Sequence, residues 1–314
     1  MDGYSLHVGV GQVDEEHYGE GYNLNSAEND ARDFYNLVTK AKVFEQKHLL
    51  LGSENGENKA TAKNFFDRLN QIIEATKKDE ANGAYVLLTF SCHGAKFVEK
   101  EKSYQVNEFL CFHDRMVLEH EIKAELLRLP KWVKCFIVLD ACFGEGLAGF
   151  SLKTRQGAFG HKAFATESIR DKTITSENIK VIPVDKVAKV IKEKPIRTLK
   201  NRLGSYGQLI AETPKVLNFR ELQCEVCFLA ACGENDVTFD GGSSTNSYFS
   251  SYLFTTWNND AFVGNYNDMF KDLIAKYFDS KLQPVIYGST KQYFLFHRPF
   301  LFNQKSINHK IYKS

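Results

Sequence analysis

Residues 85–90 read Tyr-Val-Leu-Leu-Thr-Phe and run straight into Ser91-Cys92-His93-Gly94. Residues 133–139 read Val-Lys-Cys-Phe-Ile-Val-Leu and run into Asp140-Ala141-Cys142-Phe143-Gly144. Nearly unbroken apolar runs of this length mark strands buried on both faces, as the central strands of a parallel sheet are. Each run ends in polar, glycine-containing sequence, so each strand delivers its last residues to one edge of the sheet.

Around these two strands, helical and strand-like periodicities alternate. Residues 4–10 predict a buried strand and residues 48–51 a short one. Residues 26–40 carry Ala27, Ala31, Phe34, Leu37 and Val38 at helical spacing, with Ser26 as the N-cap and Asn29 where a capping box would place Glu or Gln. Residues 61–76 are amphipathic. Residues 108–112 form a weaker strand, and residues 119–129 a helix closed by Pro130. A β-α-β rhythm of this kind predicts an α/β fold, a mostly parallel sheet with helices on both faces. Later come an apolar strand at 224–231, helices near 247–257 and 266–278, and a last strand at 284–287. A short helix at 183–194 is also expected.

The 314 residues (35.8 kDa) are 43% hydrophobic and 25% charged with a net charge of +1, ordinary values for a soluble globular protein. That balance argues against a nucleic-acid partner for the whole chain. No apolar run of about 18 residues is present to cross a membrane. With seven cysteines, an odd number, and no signal-peptide pattern at Met1-Asp2-Gly3-Tyr4, a reducing, cytoplasmic setting is expected. Residues 151–220 stand apart: 15 Lys or Arg against 6 Asp or Glu give a local charge of +9. Between 170 and 205 the segment has no Phe or Trp for a base to stack on, so a solvated loop or a functional linker fits it better than a nucleic-acid surface.

The two strand ends carry the chemistry. In an open α/β sheet, ligands bind outside the carboxyl ends of the strands. His93 and Cys142 would meet there, one as base and one as thiol nucleophile. Glycine beside each residue lets backbone N–H groups approach a developing oxyanion, and Gly94 and Cys142 are the candidate donors. Either residue alone is more often structural. The pair, each at a strand end and each beside glycine, points to acyl transfer.

His93 precedes Cys142 by 49 residues, and Asp140-Ala141-Cys142-Phe143-Gly144 resembles the nucleophile motif of caspases. The chain resembles caspase-like cysteine peptidases of the metacaspase and bacterial orthocaspase kind, peptidase family C14. His93-Gly94 resembles the family's Ser-Gly-His-Gly motif, with Cys92 in place of the usual glycine. Asp140-Ala141-Cys142 resembles its Asp-x-Cys motif, and Asn29-Asp30-Ala31 its Asn-Asp-Ala. Residues 228–240 (FLAACGENDVTFD) resemble the strand and acidic loop that precede its last helices. The resemblance covers residues 4–150 and 222–302. It implies a three-layer sandwich around a six-stranded, mostly parallel sheet. The expected organisation is one peptidase domain over 1–314: 1–150 with the dyad, 151–220 as basic insertion or linker, and 221–302 completing the sheet.

The resemblance also implies a substrate. Animal caspases hold an acidic P1 residue with Arg and Gln. Here Asp30 and Asp140 stand at those places, and in metacaspase-like enzymes two such acids, with Ser91 beside them, hold a basic P1 side chain. Opposite charges about 4 Å apart interact by roughly 4 kcal/mol at an effective dielectric of about 20, so such a pocket would select Arg or Lys and reject Asp. Asp236 and Asp240 would shape its rim. The expected function is an endopeptidase cutting polypeptides after basic residues and itself within 151–220; some relatives serve microbial defence or cell death. A caspase-fold scaffold without activity is the alternative.

Other features are weaker. Glu108, Asp114, Glu119 and Glu121 lie in the stretch where calcium-dependent relatives carry ligands, but Gly149 replaces an acid expected there, so no cofactor is expected, with calcium as the alternative. Cys224-Glu225-Val226-Cys227 has no second ligand pair for zinc and reads as core thiols, and Cys92 as a buried thiol beside the histidine. His113 and His120 look like surface residues.

Overall fold

The computed structural model describes residues 1–41, 43–99, 105–142, 180, 222–232, 238–257, 261–277, 285–288 and 299–300. Six strands build the central sheet: β1 (Asp2–Gly9), β2 (Phe44–Leu51), β3 (Ala84–Ser91), β7 (Val133–Asp140), β8 (Glu225–Ala230) and β9 (Val285–Gly288). Their order is β2-β1-β3-β7-β8-β9, parallel except for the last, antiparallel pair. The apolar runs of β3 and β7 therefore lie in the middle, as their composition requires.

Side chains alternate between two cores because strand periodicity is two. Val86, Leu88 and Phe90 of β3 face one core, with Cys135, Ile137 and Leu139 of β7. Against them pack α3 (Ala62–Thr76), through Phe65, Leu69, Ile72 and Ile73, and α4 (Glu119–Leu126), through Ile122 and Leu126. Tyr85, Leu87, Phe136 and Val138 face the other core. There they meet α2 (Ala27–Lys40), α5 (Tyr248–Trp257) and α6 (Tyr266–Tyr277). A four-residue helix, α1 (Glu15–Tyr18), and a 3₁₀ turn at Gly56–Asn58 complete the described helices.

Several expectations need correction. β2 begins at Phe44 rather than residue 48: its polar half, Glu45-Gln46-Lys47, is tolerated because β2 is an edge strand. Residues 108–112 do not join the central sheet. They belong to β5 (Gln105–Cys111), which pairs with β4 (Gly94–Glu99) and β6 (Met116–Leu118) in a small antiparallel sheet. Ser26 makes no side-chain cap to α2: its hydroxyl donates instead to Asp240 and accepts from the Gly241 N–H. Asn29 donates to the carbonyls of Ser243 and Thr245. Thr61 caps α3 by accepting from the Asn64 N–H. The helix expected at 183–194 lies outside the described residues.

Phe136, fully buried, stacks tilted on Tyr266 at 4.4 Å between ring centroids and meets Phe300 edge-on at 5.7 Å. Emptying that place removes a large apolar area and leaves a cavity in a core that cannot collapse around a rigid sheet. We expect Phe136→Ala to lower stability by about 3–5 kcal/mol, measured by urea denaturation. A loss below 1 kcal/mol would show that this core is not close-packed.

Candidate active site

Strands β3 and β7 pair from Ala84↔Val133 to Ser91↔Asp140 without a slip. His93 lies two residues past the end of β3, and Cys142 two past the end of β7, so the register sets them at one level of the sheet edge. The Cys92 N–H donates to the Asp140 carbonyl at 3.3 Å and continues the ladder one step further. A Cβ on Gly94 would lie 1.9 Å from the Cys142 carbonyl oxygen. Only glycine lets the chain after His93 lie against the chain that carries Cys142.

His93 is buried, and its Nε2–H donates to the Tyr22 carbonyl at 2.8 Å, with the Tyr22 ring edge-on at 6.2 Å. That bond fixes the tautomer: the proton sits on Nε2, and Nδ1 keeps a lone pair. Nδ1 is buried and makes no hydrogen bond among the described residues. Burial, helped by the Lys180 ammonium, pushes the imidazole down to about 4, against weaker upward pulls from the Tyr22 and Lys180 carbonyls. The ring is thus a neutral base with a free lone pair. The Cys142 sulfur, also buried, accepts from the Thr238 N–H at 3.2 Å.

Beside the pair lies a pocket of buried oxygens. Asp30, on the first turn of α2, accepts from Ser91 Oγ at 2.6 Å and from the Ser247 N–H at 2.9 Å. Asp140 accepts from the hydroxyls of Ser247 and Ser250, the latter at 2.8 Å, and from Thr238 Oγ1 at 3.3 Å. Asp30 therefore does not pair with Arg32 on its own helix; Arg32 turns to Glu28 and Glu54.

The pocket is filled. Lys180, the one described residue of 151–220, is fully buried with its ammonium between the carboxylates. Nζ lies 2.8 Å from Ser91 Oγ, 3.1 Å from Asp140 Oδ1 and 3.4 Å from Asp30 Oδ2. An ammonium has three N–H donors, and Ser91 Oγ, Asp30 Oδ2 and the Asp140 carbonyl at 3.4 Å accept from it, with Asp140 Oδ1 as a further ion-pair partner. Burial alone would lower the Lys180 pKa; the carboxylates of Asp140 and Asp30 outweigh it and raise it, so the amine stays charged. Burial lifts the Asp30 carboxyl to about 6, and the Asp140 charge adds to the lift, while the ammonium limits it. The Lys180 backbone is held as well: its carbonyl accepts from the Gly94 N–H at 3.0 Å, and its N–H donates to the Thr238 carbonyl at 3.2 Å.

Of the residues singled out in the sequence, the structure brings together Asp30, Ser91, His93, Gly94, Asp140 and Cys142. Asp240 is buried close enough for its charge to act on both the Lys180 ammonium and the His93 ring. Its carboxylate accepts from the N–H groups of Asn25 and Ser26 and from the Ser26 hydroxyl, and so anchors the chain entering α2. Asp236 lies outside the described residues. Tyr22, Lys180, Thr238, Ser247 and Ser250 were not foreseen; each is far in sequence from the motifs it serves.

The remaining candidates are committed elsewhere. Asp114 accepts from the Ala62 N–H at the start of α3. Glu121 takes both guanidinium nitrogens of Arg115, and Glu119 pairs with Lys123. Among the described residues no cluster of His, Cys, Asp and Glu is arranged to hold a metal. Cys224 and Cys227 are buried in opposite cores, on opposite faces of the sheet, so one ion cannot reach both. Cys92 is buried too, its thiol pushed up to about 12 by desolvation. His113 is half-buried and donates to the Gln12 carbonyl; His120, expected at the surface, is buried beside Glu119.

The family model of the peptidase C14 caspase domain matches residues 13–294. A crystal structure of a protein from Geobacter sulfurreducens superposes with a TM-score of 0.70 at 20% identity, over 96% of this chain and 98% of that one. Caspase-1 from Spodoptera frugiperda gives a TM-score of 0.45 at 10% identity, over 91% and 85% of the two chains. No curated protein matches. None of the described helices is long and apolar enough to cross a membrane.

The burial of His93 has a measurable sign. An unfolded chain takes up the proton near pH 6.5, the folded imidazole only near 4, so in that window the unfolded state binds more protons. Stability present above pH 6.5 is therefore lost as pH falls toward 4. His7, buried and pushed down to about 3, acts in the same direction. Asp30, lifted to about 6, opposes them, because there the folded state takes the proton first. Two imidazoles against one carboxyl leave a net loss. We expect a lower urea midpoint at pH 5 than at pH 7.5, and a neutral His93 ring in ¹⁵N NMR at pH 5.5. A His93 titrating near 6.5 would contradict its burial.

Proposed function

We propose, on the premise that the chain belongs to the caspase domain family, that it is a cysteine endopeptidase cutting polypeptides after Lys or Arg. The observation that carries this reading is the ammonium of Lys180, seated between Asp30, Ser91 and Asp140 while the carbonyl of the same residue accepts from the Gly94 N–H beside Cys142. A P1 residue needs those two placements at once, side chain in a pocket and carbonyl on an N–H next to the nucleophile.

In the proposed reaction His93 Nδ1 takes the thiol proton, and the Cys142 sulfur adds to the carbonyl carbon of P1. The oxygen gathers negative charge on the Gly94 N–H, with the Cys142 N–H next to it as second donor. His93 then gives its proton to the departing amine, and the acyl group stays on sulfur as a thioester. Water, deprotonated by the same imidazole, releases the acid and restores the thiol. The Tyr22 carbonyl steadies the ring and stabilises its transient charge. The substrate backbone pairs with Thr238, as Lys180 does. Sites in 151–220, with 15 basic residues, are the nearest substrates of such an enzyme.

The test is a peptide panel varied at P1. Lys and Arg are expected to be cut and Asp to be inert. Cys142→Ala and His93→Ala should each abolish turnover with the fold intact, and the double variant should be no worse than either. Asp140→Asn removes one charge and keeps the shape. A lost charge-assisted contact of about 1.5–3 kcal/mol corresponds to roughly a 10- to 150-fold fall in kcat/KM on basic substrates. A profile led by Asp, or an unchanged Asp140→Asn enzyme, would overturn the basic-P1 reading. Turnover in Cys142→Ala would overturn the nucleophile.

A further inference from the structure

Asp240 joins the segment that orients the base to the segment that touches the nucleophile. Residues 19–26 connect α1 to α2, and within them the Tyr22 carbonyl takes the Nε2–H of His93. Residues 238–247 lead into α5, and at their start the Thr238 N–H donates to the Cys142 sulfur. The buried Asp240 carboxylate bridges the two. It accepts from the Asn25 N–H at 2.7 Å, from the Ser26 N–H at 3.0 Å and from the Ser26 hydroxyl. An ordinary helix cap does not explain this arrangement. Ser26 stands at the cap position of α2 and could serve with its own hydroxyl, yet that hydroxyl donates to Asp240 and accepts from the Gly241 N–H. Burying a full charge where a neutral hydroxyl would do is costly, so the charge itself needs a reason. Of the charges acting on the His93 ring, the Lys180 ammonium opposes its protonation and the Asp240 carboxylate favours it. The ring must become a cation when it takes the thiol proton, and the Tyr22 carbonyl offers that cation a dipole rather than a charge.

We propose that Asp240 is a positioning residue for His93: by gripping Asn25 and Ser26 it holds the Tyr22 carbonyl on the ring, and its negative charge steadies the imidazolium formed when Cys142 gives up its proton. The proposal rests on the peptidase reading above and adds to it what orients and supports the base. The proton moves from the Cys142 sulfur to His93 Nδ1, leaving a thiolate and an imidazolium with the total charge unchanged. A fixed anion already in place when the cation forms needs no reorganisation at that moment. In a Ser-His-Asp triad the carboxylate accepts directly from the ring. Here a backbone carbonyl takes that bond, and the carboxylate stands one step behind it. The segment between them is tied down elsewhere as well. The Leu24 N–H donates to the Gly11 carbonyl at 2.8 Å, and the Val13 N–H to the Asn23 side-chain oxygen at 3.2 Å. The seam continues into α2, where Asn29 donates to the Ser243 and Thr245 carbonyls and Asp30 accepts from the Ser247 N–H. The placement of the base and of the segment beside the nucleophile are thus set by one contact surface, with Asp240 as its charged member.

The experiment compares the wild type with Asp240→Asn, Asp240→Glu and Ser26→Ala, all as full chains. Two rates are read at pH 7: kcat and KM on a fluorogenic Arg amide, and alkylation of Cys142 by iodoacetamide, followed residue by residue by mass spectrometry. The second needs no P1 side chain and reports the proton transfer to His93, because the thiolate and not the thiol displaces iodide. Circular dichroism checks the fold. Asp240→Asn keeps the size, removes the charge and puts an amide N–H where an acceptor was. Its kcat is expected to fall by about 10- to 100-fold with KM little changed, and alkylation to slow alongside. Asp240→Glu keeps the charge and should regain part of both rates. Ser26→Ala removes one of the three donors and leaves the charge, so both rates should fall by less, about threefold. That variant decides the matter if Asp240→Asn does not fold, and unchanged rates in it would then overturn the proposal. An unchanged kcat in Asp240→Asn, a loss confined to KM, a lower kcat with wild-type alkylation, or an Asp240→Glu chain no faster than Asp240→Asn would each overturn the proposal and leave the peptidase reading standing. A wild type that hydrolyses no basic amide would overturn the peptidase reading, while alkylation of Cys142 would still show whether Asp240 acts on the base.

Discussion

The two central strands run in register over eight pairs, and that pairing fixes nearly everything the site needs. A slip of one residue would turn each side chain of β7 to the other face of the sheet. Leu139 would then leave one core and Asp140 the pocket, and Cys142 would lose its level with His93. The register is held by packing on both sides: residues of each parity on both strands are buried, so neither strand can slide without exposing or overfilling a core. The precision of the site is thus inherited from hydrophobic packing rather than built by the polar residues themselves.

The pocket beside the dyad is an electrostatic problem with a shared solution. Two carboxylates are buried together, and serine and threonine hydroxyls with a backbone N–H supply much of what water would have supplied. What remains is net charge, which neutral donors cannot cancel. The upward pull on the Asp30 carboxyl is that residual cost, and the ammonium of Lys180 offsets it. A site in this condition favours a cation over water. The seating of the chain's own lysine follows from that preference.

The α/β class and the two strand ends were legible because a doubly buried strand leaves an apolar run that no loop imitates, and because polar residues after such a run have one place to go. His93 and Cys142 followed from that placement. Asp30 and Asp140 were legible only through resemblance to a family, since a lone aspartate near a helix start is usually a cap. The partners of these residues could not be read. Ser247 and Ser250 look like ordinary helix-start serines. Ser26 has the sequence of an N-cap and is taken over by Asp240, 214 residues away. The small β4-β5-β6 sheet escaped because one of its strands has three residues.

Lys180 marks the limit most sharply. Its segment was read from composition as basic and solvated, and composition averages over 15 cations that a sequence does not distinguish. What distinguishes Lys180 is the sum of a side-chain site and a backbone site, set by Asp30, Ser91, Gly94, Asp140 and Thr238, from four separate stretches of chain. Each contact alone would be modest. Held together on a rigid sheet edge they act as one binding site, because fixing the backbone at Gly94 and Thr238 removes most of the freedom the ammonium would otherwise lose on entering the pocket. The same arithmetic applies to a substrate in trans, which must also give up its translational freedom. An internal lysine therefore outcompetes an external one of equal contacts, and the cation this pocket holds is its own Lys180.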